Sequence, residues 1–137
     1  MKALRLYAAR DLRIEELPVP TPGAGQALVK VLANGICGSD VHFYEDGKLG
    51  PYVVERAYTP GHEAAGVVVT PSASRPGLAA GALVAIEPGR PCMRCELCRT
   101  GRYNLCRDVV FMSAPPVDGT FADRKSTRLN SSHGQLS

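Results

Sequence analysis

Cys92, Cys95, Cys98 and Cys106 stand in the pattern C-x2-C-x2-C-x7-C, and no other feature constrains this chain as strongly. Three thiols within seven residues suit one shared ion better than two disulfides, because a tight turn can aim ligands three positions apart at a common point. Zinc takes four thiolates in a tetrahedron with arms of about 2.3 Å, and such a site keeps no open position. The spacing therefore predicts a structural zinc that holds together a lobe over residues 88–107. The first residues, MKALRLYAARD, contain no apolar signal core before Asp11. The expectation is thus a cytoplasmic setting, where cysteines serve metals or catalysis rather than disulfides.

The rest of the chain reads as mainly β. Fourteen glycines and eleven prolines in 137 residues favour short strands and many turns over a helical bundle. Strands are expected at Met1–Tyr7, Leu12–Leu17, Gln26–Cys37, Glu63–Thr70 and Ala82–Glu87, with shorter ones at Asp108–Met112 and Gly119–Asp123. Ser39–Asp46 reads as a short helical turn with Ser39 as a possible N-cap. The longest nearly apolar run, Gly77–Ile86, is too short to cross a bilayer, so no membrane partner is expected.

The charge of +3 is unevenly placed. Residues 1–123 hold 13 basic and 13 acidic residues, and the excess comes from Arg124, Lys125 and Arg128. Arg90, Arg94, Arg99, Arg102 and Arg107 crowd the cysteine lobe, but the neutral remainder and the lack of an aromatic series argue for a solvated face. No nucleic-acid partner is expected.

A second group of metal-ligand types is spread over two motifs. Cys37 lies in GICGSDVH after a strand, and His62 and Glu63 lie in TPGHEAAG at the mouth of another. One Cys, one His and one Glu match the donors of a catalytic zinc that leaves a position for water or substrate. Taken alone, Cys37 is also compatible with a small buried hydrophobe, and the His-Glu pair is a weak signal.

GICGSDVH, PGHEAAG and PGRPCMRCELCRTGRYNLC, in this order, resemble the zinc-dependent medium-chain alcohol dehydrogenases, most closely the polyol branch of sorbitol, xylitol and butanediol dehydrogenases. The resemblance covers residues 1–122. It implies a GroES-like β-barrel domain carrying two Zn2+, one catalytic and one structural, followed in the family by a Rossmann domain for NAD(P). It implies Cys37 and His62 as catalytic zinc ligands, with Glu63 as third ligand or as a neighbour exchanging with water. Ser39 would pass on the substrate's proton and His42 would extend that path toward solvent. Asp40 would hold a ligand imidazole in its tautomer from behind. On their residue chemistry alone, Ser39 is equally a helix cap, Asp40 a turn former and His42 a solvated side chain. The implied partners are a small alcohol or polyol and further copies of the parent chain, as dimer or tetramer. The competing reading is a stand-alone zinc module with a binding role.

Two departures from the family pattern stand out. Phe43 occupies the place where polyol enzymes carry Tyr, which puts Phe43 at the expected substrate pocket and leaves a less polar secondary alcohol or diol open. Gly81-Ala82-Leu83-Val84 replaces a G-D-R-V turn, without a functional account. No G-x-G-x-x-G follows a strand, so the Rossmann domain is missing from this sequence. Asp123–His133, DRKSTRLNSSH, matches one reading frame of a common short-read sequencing adapter over eleven consecutive residues. Residues 123–137 are therefore expected to be an adapter-derived, disordered addition to a domain spanning residues 1–122.

Overall fold

In the computed structural model, residues 1–75 and 77–128 are described. β1 (Lys2–Ala8) and β2 (Asp11–Glu16) form an antiparallel hairpin, and Arg10 turns the corner with φ 62°. β3 (Gln26–Gly35) is the long strand expected from its apolar run, and it stops two residues before Cys37. β6 (Glu63–Thr70) pairs with it antiparallel, β7 (Leu83–Ala85) extends the sheet on one side, and β10 (Arg124–Arg128) closes the other. Between β3 and β6 lie α1 (Gly38–Asp46) and the two-residue strands β4 (Lys48–Leu49) and β5 (Tyr52–Val53). A second short ladder joins β8 (Gly89–Arg90) to β9 (Val110–Phe111), and between them α2 (Glu96–Arg99) and a 3-10 turn at Tyr103–Leu105 carry the cysteine lobe.

Two apolar clusters hold this frame. Ala27 and Val29 of β3 pack with Ala64 and Val68 of β6, and Leu78, Val84 and Ile86 cover them. Alternate residues of both strands thus face one side, as the two-residue period requires. Burying a side chain such as Val68 or Val84 contributes about 1.5–3 kcal/mol. Leu6, Phe43 and Tyr58 form the second cluster, in which the Phe43 and Tyr58 rings meet edge to face at 6.0 Å.

Several sequence expectations are corrected here. Cys37, not Ser39, is the N-cap of α1, which places Ser39 at the second helical position. The stretch from Gly119 forms no regular strand, although it is bonded on both sides. Thr120 and Phe121 donate to the carbonyls of Gly61 and Pro60, while Leu4 donates to Phe121. Phe43, expected at the substrate pocket, packs against Leu6 and Tyr58. It is 4% exposed in the core, because Asp40 and Phe43 lie three residues apart and share the buried face of α1.

The expectation of disorder from residue 123 fails over Arg124–Arg128, which pair with β3 from Arg124↔Lys30 to Arg128↔Gln26. A strand edge presents backbone N–H and C=O groups that accept any extended chain, whatever its side chains. Thr127 points inward at 3% exposure, and Ser126 donates to Gln26 Oε1 at 2.9 Å. Residues 129–137 of the expected addition lie outside the described residues.

Candidate active site and metal centres

The register of β3 against β6 builds the first site. Gly35 lies opposite Glu63, so the end of one strand meets the start of the other. Cys37 follows Gly35 by two residues and His62 precedes Glu63 by one, which brings donors from distant parts of the sequence onto the same spot. Donor atoms of Cys37, His62 and Glu63 all lie within 4.8 Å of one another. Gly35 keeps that space open, since a Cβ there would run into the Glu63 carboxylate.

Asp40 ties the two donor-bearing segments together from behind. It is buried at 7% exposure. The Cys37 N–H donates to its Oδ2 at 3.0 Å, and the Gly61 N–H donates to its Oδ1 at 3.1 Å. His62 Nδ1 faces the same carboxylate at 3.8 Å and has no hydrogen-bond partner, although it is buried. His62 Nε2 points the other way, 3.9 Å from Glu63 Oε1. A carboxylate behind Nδ1 favours the proton there and leaves the Nε2 lone pair for a metal. Gly61 makes the turn with φ +93°, and Phe121 lies 2.8 Å from where its Cβ would be. A side chain here would therefore meet both backbone strain and a clash.

Ser39 sits half-buried in the first turn of α1, two residues after Cys37. His42 is 60% exposed, with Nδ1 3.5 Å from Asp46 Oδ2. Sequence reasoning missed Ser113, Tyr58 and Phe111. The Phe111 ring lies 5.7 Å from the His62 ring. The Tyr58 hydroxyl is buried, and burial together with the Asp40 charge pushes its phenol well above the usual range, against a smaller opposing effect of Ser113. None of these three carried a sequence signal, because they reach the site only through long-range packing.

The cysteine lobe forms the second donor group. Cys92, Cys95, Cys98 and Cys106 place their sulfurs within 4.8 Å of one another. The separations are 3.9 Å for Cys92–Cys98, 3.5 Å for Cys95–Cys98 and 3.9 Å for Cys95–Cys106. A tetrahedron with arms of about 2.3 Å has edges of roughly 3.8 Å, whereas a disulfide requires about 2.05 Å. The four sulfurs therefore fit a metal and not two bridges. The N–H groups of Arg94 and Cys95 pull the Cys92 thiol down to about 6, while burial pushes Cys98 up to about 12. Metal binding would have to displace the Cys98 proton. The five arginines of the lobe are all exposed.

Among the described residues, no helix is long and apolar enough to cross a membrane. Residues 23–129 match the family described as the alcohol dehydrogenase GroES-like domain. The chain is 50% identical over 121 residues to a sorbitol dehydrogenase of Bacillus subtilis, covering 88% of this chain and 34% of that protein. It also resembles the structure of the L-idonate 5-dehydrogenase of Escherichia coli K-12, with TM-score 0.81 and 34% identity over 90% of this chain and 36% of that one. An alcohol dehydrogenase, rspB, of Escherichia coli CFT073, complexed with NADH, superposes with TM-score 0.85 at 28% identity, covering 100% of this chain and 38% of that one. The chain thus spans about a third of the length of the proteins it matches. By this match and the residues that carry it, the chain belongs to the alcohol dehydrogenase GroES-like domain family.

Proposed function

We propose that this chain is the zinc-binding catalytic domain of a cytoplasmic, NAD(P)-dependent dehydrogenase that oxidises a secondary alcohol or polyol to a ketone. The observation that carries the reading is the convergence of Cys37, His62 and Glu63 within 4.8 Å, with Asp40 bonded to the backbone of both ligand segments. A soft thiolate, an imidazole and a carboxylate fit zinc, and the orphaned Nδ1 of His62 facing Asp40 is the signature of an imidazole held for its other nitrogen. Cys37, His62 and Glu63 would hold that ion. When bound, zinc supplies Lewis acidity that stabilises an alkoxide near neutral pH.

The residues of the chain handle the proton and the orientation. Ser39, two positions after Cys37 in the first turn of α1, would accept the hydroxyl proton. His42 stands in solvent beside Asp46, where a proton can pass to water. Asp40 holds the geometry through the Cys37 and Gly61 N–H groups. A nicotinamide cofactor would supply the hydride acceptor, held by a domain other than this one. The relatives' names support the substrate class: sorbitol dehydrogenase, and L-idonate dehydrogenase acting at position 5. By itself the chain is expected to bind metal and alcohol without turnover. The parent would be a dimer or tetramer.

Cobalt substitution tests the proposal. The chain should bind two Co2+ ions, one released by chelator faster than the other, and sorbitol should shift the visible bands of the labile ion. A chain that takes one ion, bound to the four cysteines, and shows salt-dependent affinity for nucleic acid would overturn it. Rereading the source DNA past codon 122 separately tests the adapter origin of residues 123–137. A frame continuing into a strand, G-x-G-x-x-G and a helix would support it.

A further inference from the structure

We infer that Ser113 is a positioning residue for the Cys37–His62–Glu63 donor group, acting through Asp40 and the Gly61 peptide. The inference rests on reading that group as a metal site. Ser113 follows β9 by two residues, at the base of the cysteine lobe, and is 4% exposed. Its hydroxyl uses both of its capacities at once. It accepts the Gly61 N–H at 3.0 Å and donates to Asp40 Oδ1 at 3.2 Å.

Those partners matter because of where they lie. Gly61 immediately precedes His62, and Asp40 Oδ1 is the oxygen that faces His62 Nδ1 at 3.8 Å. The carboxylate is fixed on one side by the Cys37 N–H at Oδ2. At Oδ1 the Gly61 N–H is shared between Asp40 and Ser113, so the hydroxyl is the donor committed to that oxygen. Removing it frees the carboxylate to rotate about its χ2 and loosens the peptide that aims the imidazole.

The backbone at this position makes the side chain informative. Ser113 has φ 66°, a left-handed conformation that glycine adopts with less strain. A glycine there would relax the backbone yet delete the bridging hydroxyl, so fold and site respond in opposite directions. The Gly61 N–H would keep Asp40 as its acceptor.

The test is Ser113→Gly in the full chain, with Zn2+ affinity read by competition against a chromophoric chelator, and with thermal midpoint and metal content measured in parallel. The midpoint should equal or exceed that of the parent, and the four-cysteine ion should be retained. Affinity for the second ion should fall about 10- to 100-fold, the usual cost of losing a group that orients a ligand. Because Ser113 acts through Asp40, the double variant with Asp40→Asn should bind the second ion no more weakly than Asp40→Asn alone. Unchanged affinity in Ser113→Gly, or losses that add in the double variant, would overturn the inference. If the unmodified chain binds only one ion, the metal-site reading fails first and the inference falls with it.

Discussion

The Asp40 carboxylate faces Nδ1 of His62 at 3.8 Å while its two oxygens hold the N–H groups of Cys37 and Gly61. One buried acid therefore sets the backbone on both sides of the donor group as well as the imidazole between them. Neither a turn nor a helix cap requires that combination, though Asp40 also sits in the first turn of α1, where a negative charge is favoured.

Asp40→Asn should weaken both the fold and the site. An amide has one oxygen, so its NH2 group must confront a buried N–H donor at Cys37 or Gly61. Leaving such a donor unsatisfied costs about 1–3 kcal/mol. Urea unfolding should show that loss, and metal titration should show weaker binding at the Cys37 site with the four-cysteine site unchanged. Wild-type stability in this variant would mean that the bridging bonds contribute nothing.

Cys37→Ser and Cys95→Ser should separate the two metal sites. The first variant should lose one ion and keep a folded lobe. The second should unfold the lobe, because zinc binding in small cysteine modules contributes on the order of 10–16 kcal/mol. Metal analysis and limited proteolysis within residues 88–107 read the two outcomes. Loss of both ions from either variant would show that the sites are not independent.

Phe43 should behave as a core residue. Phe43→Ala is expected to cost about 3–5 kcal/mol by opening a cavity between Leu6 and Tyr58. Phe43→Leu should lower stability less and leave the spectroscopic response to sorbitol unchanged. An altered response at wild-type stability would return Phe43 to the substrate pocket.

Lys125 supplies a pH test for the last strand. Burial lowers its pKa below 10.5, although the Asp118 charge acts in the opposite direction. Below both values the folded and unfolded states carry the proton, and the folded state bears the desolvation penalty. As pH rises through the lowered folded value toward 10.5, the folded state loses its proton first and stability increases. Lys125→Gln should abolish that alkaline gain, measured as the change in urea midpoint between about pH 8 and pH 10.5, with the unfolded value as reference. A gain that persists in the variant would mean that Lys125 is solvated and β10 does not form.

The strands with clean apolar patterns were legible in advance. Glu63–Thr70 runs between the expected residues, and β3 begins at the expected Gln26. Ends were less legible: β3 stops at Gly35 rather than Cys37, because Cys37 leaves the ladder to cap α1. Gly119–Asp123 read as a strand by composition, yet it divides its backbone bonds among Lys2, Leu4, Val31 and the Thr59–Gly61 segment. Sheet partners are chosen by the whole fold, and local composition cannot decide among them.

The sequence by itself determined the two sets of donor types and the fold class. The four cysteines are close enough along the chain that their spacing alone limits how they can meet. Only the tertiary structure decided what stands behind those donors. Gly35 opposite Glu63, Ser113 against Asp40 and Phe111 beside His62 each join residues far apart in the chain. The burial of Phe43 and the pairing of Arg124–Arg128 belong with them, since helix phase and a free strand edge are settled by packing and backbone bonds. Spacing constrains ligands that are neighbours in sequence, whereas register and packing place everything else.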